Sequence, residues 1–114
     1  MTRVFKVLSA AEWQAACAQG RFDGAAVDLA DGFIHLSAAD QVAETLRRHF
    51  AGQADLVLVA FDADALGPGL RWEPSRGGAL FPHLYGSLPA STGDEVRPIR
   101  LQTDGDFDIE SLDL

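Results

Sequence analysis

Asparagine is absent from this sequence of 114 residues, and cysteine, lysine, methionine and tyrosine occur once each. A lone cysteine, Cys17, makes no intramolecular disulfide, and without asparagine there is no N-glycosylation acceptor. No stretch approaches the roughly 18 consecutive apolar residues that span a bilayer, so no membrane partner is expected. The apolar run in the opening MTRVFKVLSA is too short for a secretory signal. These absences together give the expectation of a cytoplasmic protein.

Basic residues are scarce, and the net charge is −8. Five acids (Asp104, Asp106, Asp108, Glu110, Asp113) fall in the last twelve positions, where no base occurs, and subtracting them leaves −3 for the body. Nucleic-acid binding is driven by basic residues that displace counterions, so bulk affinity for DNA or RNA is not expected. What remains has ordinary globular composition, 47% hydrophobic and 23% charged, enough for one core at this length. The expected organisation is one domain over residues 1–102 and an acidic tail over 103–114, either an edge strand or disordered. Asp104-x-Asp106-x-Asp108 is not a calcium loop, because Ile109 stands where glycine is required.

Periodicity and capping signals predict the elements. Val4–Leu8 reads as a strand, and Ser9-Ala10-Ala11-Glu12 as a capping box opening a helix that Gly20 stops. Its apolar stripe would be Ala10, Trp13, Ala16 and Cys17. Phe33–Leu36 reads as a second strand, followed by Ser37 as N-cap of a helix burying Ala39, Val42, Ala43, Leu46 and Phe50. Leu56–Phe61, an uninterrupted apolar run, reads as a central strand covered on both faces. Shorter strands are expected at 70–73, 80–85 and 95–101. Helices early and strands late predict an α+β domain with a small mixed sheet, or two small sheets, and helices outside.

Standard catalytic motifs are missing: there is no phosphate-binding loop, no His-Glu-x-x-His and no Cys-x-x-Cys. His35, His49 and His83 are too widely spaced for a metal motif, so no metal site is expected. His49 follows Arg47-Arg48 near a helix end, where positive charge suits the dipole. Two segments concentrate unusual chemistry. In Asp31-Gly32-Phe33-Ile34-His35-Leu36-Ser37, strand alternation sends Ile34 and Leu36 inward and lines the other side with Phe33, His35 and Ser37. This is either a binding face or merely a helix cap beside a backbone-bonded histidine.

The second segment is Arg71-Trp72-Glu73-Pro74-Ser75-Arg76-Gly77-Gly78-Ala79-Leu80-Phe81-Pro82-His83-Leu84-Tyr85-Gly86. Arg71 and Glu73 share a face of one strand, Phe81, His83 and Tyr85 a face of the next, and the glycine turn brings the two together. Arginines hold phosphate, aromatics stack and glycines admit close backbone approach. The plainer alternative is a hairpin with an Arg71–Glu73 ion pair and a buried Trp72. Lys6, within the first strand, is either an edge residue or faces this site.

DGFIHLS, RWEPSRGGALFPHLYG and the opening VFKVLSAAEW resemble a small family of bacterial proteins classed only as a domain of unknown function, over residues 3 to about 101. More distantly the pattern is similar to the ADP-ribosyltransferase superfamily, whose split, mixed sheet binds NAD in a cleft. Those transferases open with a strand ending His-Gly-Thr; here Lys6-Val7-Leu8-Ser9 lacks the histidine. Gly32–Ser37 matches the second motif, with His35 where many members have tyrosine, and the late strand offers His83 and Tyr85. Glu73 is the nearby carboxylate, at a position that does not match. The resemblance implies a transferase-like cleft for a nucleotide-like or other phosphate-bearing ligand, such as NAD or ADP-ribose. Arg71 and Arg76 would hold anionic groups, Phe81 and Tyr85 would stack, Lys6 and Ser37 would contact the ligand, and His35 or His83 would move a proton, with Glu73 assisting. The alternatives are a non-catalytic binding or regulatory module, and a homodimer interface formed by Trp72 and Phe81.

Overall fold

A computed structural model describes residues 2–114, the side chain of Arg76 excepted. In chain order the elements are β1 (Arg3–Ser9), α1 (Ala10–Gln19), β2 (Arg21–Phe22), α2 (Ala26–Asp31), β3 (Ile34–His35), α3 (Val42–His49), β4 (Leu56–Asp62), β5 (Leu70–Ser75), β6 (Ala79–Leu84), β7 (Leu88–Pro89) and β8 (Gly93–Ile99). They form three sheets, ordered β1-β4-β8, β2-β7 and β3-β6-β5. Every pairing is antiparallel, which corrects the expectation of a mixed sheet. The helices lie in excursions that return each strand antiparallel to its neighbour, and no strand-helix-strand crossover sets two described strands in parallel. The fold is α+β, with several small antiparallel sheets and few helices.

β4 is the spine. Alternation sends Val59 and Phe61 to one apolar cluster with Val4, Leu8 and Ile34, and Leu56, Leu58 and Ala60 to a second with Phe5, Val7, Val42 and Leu46. Its apolar run is therefore covered on both faces, as the sequence predicts. β1 pairs with β4 along its full length on one edge. On its other edge it touches the third sheet through one bridge, in which the Phe5 and Ser37 amides donate to each other's carbonyls at 2.8 and 2.9 Å. The two larger sheets thus meet at a point and splay apart beside it.

Local chemistry explains the helices. The Ser9 hydroxyl accepts from the Glu12 amide at 3.0 Å and the Glu12 carboxylate accepts from the Ser9 amide at 3.1 Å, completing the capping box of α1. Only Ala16 of α1 is fully buried; Cys17 is exposed, contrary to the expected stripe, because α1 packs through a narrow strip led by Trp13 and Ala16. α3 starts at Val42, after a 3-10 turn over Ala39–Gln41, and Ala39 is exposed. Ser37 does not cap it. Its backbone is fixed in the bridge to Phe5, and its hydroxyl shares a hydrogen bond with Thr45 Oγ1 at 2.9 Å. α2 escapes the sequence reading because its pattern is inverted: Asp28 is buried, whereas Val27 and Leu29 are 58% and 67% exposed.

Residues 103–114 fold back on the domain. Phe107 bridges Leu101, Phe107 and Leu112 are buried in the second cluster, and Arg47 holds Asp106 at 3.1 and 3.2 Å. No helix among the described residues is long and apolar enough to cross a membrane. Phe107→Ala is expected to cost about 3–5 kcal/mol in urea denaturation, as for a buried phenylalanine. Arg47→Ala, which removes an exposed ion pair, is expected to leave the urea midpoint nearly unchanged.

Candidate functional site

Register assembles the site. β5 sets Arg71 opposite His83 and Glu73 opposite Phe81, and β3 sets His35 opposite His83. Residues directly opposite in an antiparallel pair share a face, so the charged residues of β5 and the aromatic ones of β6 lie on one side of the sheet. Gly77 and Gly78, at φ 72° and 87°, turn the chain between these strands. Trp72 falls on the other face, opposite Pro82, and is exposed. Trp72 and Phe81 therefore form no common surface for a dimer, and Phe81 is itself buried.

Glu73 is the junction of this face. Its Oε1 accepts from the Tyr85 hydroxyl at 2.8 Å and lies 2.9 Å from His83 Nδ1. The hydrogen bonds from His83 and Tyr85 hold the Glu73 carboxyl below its ordinary range, and Glu73 in turn pushes the Tyr85 phenol up. Arg71 makes no ion pair with Glu73 among the described residues; its guanidinium lies 4.9 Å above the Tyr85 ring. Phe33 stacks on His83 with centroids 4.1 Å apart and also touches the rings of His35 and Tyr85. His83, with a side chain 7% exposed, is thereby fixed by a carboxylate at one nitrogen and by a phenyl ring across its face.

A second carboxylate sits deeper. Asp28 Oδ1 lies 2.7 Å from His35 Nδ1 and accepts from the His35 amide at 3.0 Å, while Oδ2 accepts from the Ala25 amide at 2.8 Å and from Lys6 Nζ at 3.2 Å. Burial would raise the Asp28 pKa, but the His35 hydrogen bond, the Lys6 charge and the two amides outweigh it and hold the carboxyl far below its usual range. Lys6 Nζ also donates to the His35 carbonyl at 3.0 Å. Burial lowers the Lys6 pKa, with Asp28 opposing. A glycine is required beside this cluster: Gly24 has φ 122°, and a Cβ there would stand 3.0 Å from Asp28 Cβ. The other nitrogen of His35, Nε2, lies 2.9 Å from Asp31 Oδ2. Both ring nitrogens of His35 are committed to carboxylates.

The splay between β1 and the third sheet opens a cleft of about 480 Å³. Lys6, His35, Ser37, Phe81 and His83, all expected from sequence, line it. Glu73 and Tyr85 stand behind His83 rather than in the wall, Arg71 stands over Tyr85, and the side chain of Arg76 lies outside the described residues. Sequence reasoning did not select Asp28, Asp31, Thr45 or His49. Asp28 is invisible to it because the residue sits in a short helix with no apolar period, and His49 because a helix end already accounts for it. Among the described residues no three His, Cys, Asp or Glu side chains converge as a metal site.

This geometry supports proton transfer at one place. An ionised carboxylate only accepts, so in the neutral ring His83 carries its hydrogen on Nδ1, facing Glu73. Its Nε2 is bonded by no described residue and keeps its lone pair.

Asp28→Ala would leave Lys6 buried without its anion and is expected to cost about 3–5 kcal/mol in urea denaturation. The Asp28 carboxyl ionises at lower pH folded than unfolded, so its contribution is present above the unfolded value of about 4 and is lost as pH falls below it. The gap between wild type and Asp28→Ala should therefore narrow progressively below about pH 4.

Comparison with known proteins supplies relatives. A family model described as protein of unknown function (DUF952) matches residues 7–96. No curated protein matches the chain. The crystal structure of CC0527 from Caulobacter crescentus is similar at 54% identity and a TM-score of 0.94, over 99% of this chain and all of that one. The solution NMR structure of CC0527 is also similar, at 54% identity and a TM-score of 0.87, over 98% of this chain and 97% of that one. With this match over most of its length, the chain belongs to the DUF952 family of proteins of unknown function.

Proposed function

We propose that the cleft binds a small nucleotide-like or other phosphate-bearing ligand and that His83, oriented by Glu73, exchanges a proton with it. The observation that carries this reading is the Glu73–His83 pair at 2.9 Å, behind a ring that lines a cleft and whose Nε2 no described residue bonds. A carboxylate that fixes one imidazole nitrogen sets the tautomer and leaves the other as acid or base. His35 is the less suitable partner, since Asp28 and Asp31 face both its nitrogens. It serves better as a fixed wall of the cleft.

Likeness to the ADP-ribosyltransferases draws support from the sheets that part at the Phe5–Ser37 bridge and from the cleft beside the Gly32–Ser37 motif. The reading departs from ordinary ADP-ribosyl transfer at one point. Glu73 is engaged by His83 and Tyr85, so it orients the histidine instead of meeting a ribose hydroxyl. Arg71, over the exposed Tyr85 ring, offers an anion contact at the outer end, and Phe81 supplies an apolar wall. Such a protein would work in the cytoplasm, where phosphorylated metabolites and RNA ends are found.

Thermal unfolding against NAD, ADP-ribose, mononucleotides and phosphorylated RNA ends checks the reading. At least one compound is expected to raise the Tm progressively with concentration, as mass action requires, and Arg71→Ala to weaken that response. His83→Gln is expected to keep most of the binding and lose turnover of that compound. A flat response to every compound removes the ligand class. Binding without turnover in the wild type makes the chain a non-catalytic binding module.

A further inference from the structure

We infer that Asp31 is a built-in occupant of an anion subsite: its carboxylate holds, at His35 Nε2, the place that a phosphate group of the ligand takes. The inference rests on the reading of the cleft as a phosphate-ligand site and locates the phosphate within it. The charges of the buried cluster do not balance without Asp31. An ionised carboxylate only accepts, and His35 has one at each ring nitrogen, Asp28 Oδ1 at 2.7 Å and Asp31 Oδ2 at 2.9 Å. Both nitrogens therefore donate, and the ring in this arrangement is an imidazolium. Together with the Lys6 ammonium it brings two positive charges to the single buried carboxylate of Asp28. Asp31 supplies the missing negative charge. Glu12, the other acid lining the cleft, accepts from the Ser9 amide as the cap of α1.

The two carboxylates are held unequally. Asp28 is 2% exposed and is bonded by Lys6, by two backbone amides and by the His35 ring. The Asp31 side chain is half exposed, ends α2 where it lines the cleft, and among the described residues is hydrogen-bonded at Nε2 alone. An exposed pair of this kind contributes little to stability, so an oxyanion that brings further contacts of its own displaces it. Asp28 stays in place through that exchange and keeps the ring oriented from Nδ1.

The surroundings suit a phosphate-bearing compound. Strand register sets Arg71, His83 and His35 in one row across β5, β6 and β3, on a shared face of the sheet. A phosphate at His35 Nε2 lies at one end of that row, and the rest of the ligand extends past His83 toward Arg71 at the other. An imidazolium N–H to a phosphate oxygen is a charge-assisted bond, of the same kind as the one Asp31 makes.

Inorganic phosphate titrated into the full-length protein at about pH 6 and constant ionic strength, followed by ¹H–¹⁵N spectra, tests this. Asp31→Ala is expected to bind phosphate several-fold more tightly than wild type, with the His35 ring resonances moving as it binds. Asp64→Ala, which removes an exposed acid outside the cleft, is expected to match wild type. Phosphate affinity in Asp31→Ala that is equal to or weaker than in wild type overturns the inference, as does tightening that Asp64→Ala shares or that leaves His35 unmoved. The two readings fail separately: a compound that raises the Tm while Asp31→Ala gains no phosphate affinity leaves the reading of the cleft standing and removes this one.

Discussion

One buried carboxylate holds the site together. Asp28 reaches β1 through Lys6, β3 through the ring and amide of His35, and the start of its own helix through the Ala25 amide. Besides the shared apolar cluster and the Lys6–His35 carbonyl hydrogen bond, the described backbone of β1 meets the third sheet's side at the Phe5–Ser37 bridge, and β3 is two residues long. Two sheets that pack on a common core but pair at one point leave a gap, and the gap is the cleft. A charge buried at such a seam would be costly alone. Here it is met by an ammonium, an imidazole and two amides, so the network is satisfied and the geometry is specified.

A second carboxylate does for His83 what Asp28 does for His35. Glu73 reaches across the β5–β6 hairpin to His83 and Tyr85, and Phe33 packs on the ring from β3's side. The two histidines end up 5.7 Å apart with different chemistry available to them. His35 is enclosed between two carboxylates, and His83 has one nitrogen that no described residue bonds. Residue type alone makes them equivalent; the hydrogen-bond partners separate them.

Much of the fold was legible. The capping box at Ser9 and Glu12, the glycine stop at Gly20 and the apolar run of β4 are local signals, and each element forms where its signal lies. Of the candidate side chains, Lys6, His35, Ser37, Phe81 and His83 converge on one cleft because strand alternation is local as well. What stayed hidden depends on long-range pairing. Ser37 reads as a helix cap until the Phe5 bridge claims its backbone, and Cys17 reads as buried until the packing of α1 narrows to Trp13 and Ala16. Asp28 carries no signal at all, since a buried acid between exposed Val27 and Leu29 inverts the pattern by which helices are recognised. The antiparallel arrangement likewise follows from where each excursion returns, which periodicity does not encode.

The functional account turns on which nitrogen of His83 holds the hydrogen. A two-bond ¹H–¹⁵N correlation spectrum of the imidazoles, with His83 assigned by His83→Gln, reads this directly at a pH where the ring is neutral. The account predicts the Nδ1–H tautomer, with no hydrogen on Nε2. An Nε2–H tautomer would place the lone pair against the Glu73 carboxylate and contradict the assignment of His83 as the proton-transfer group.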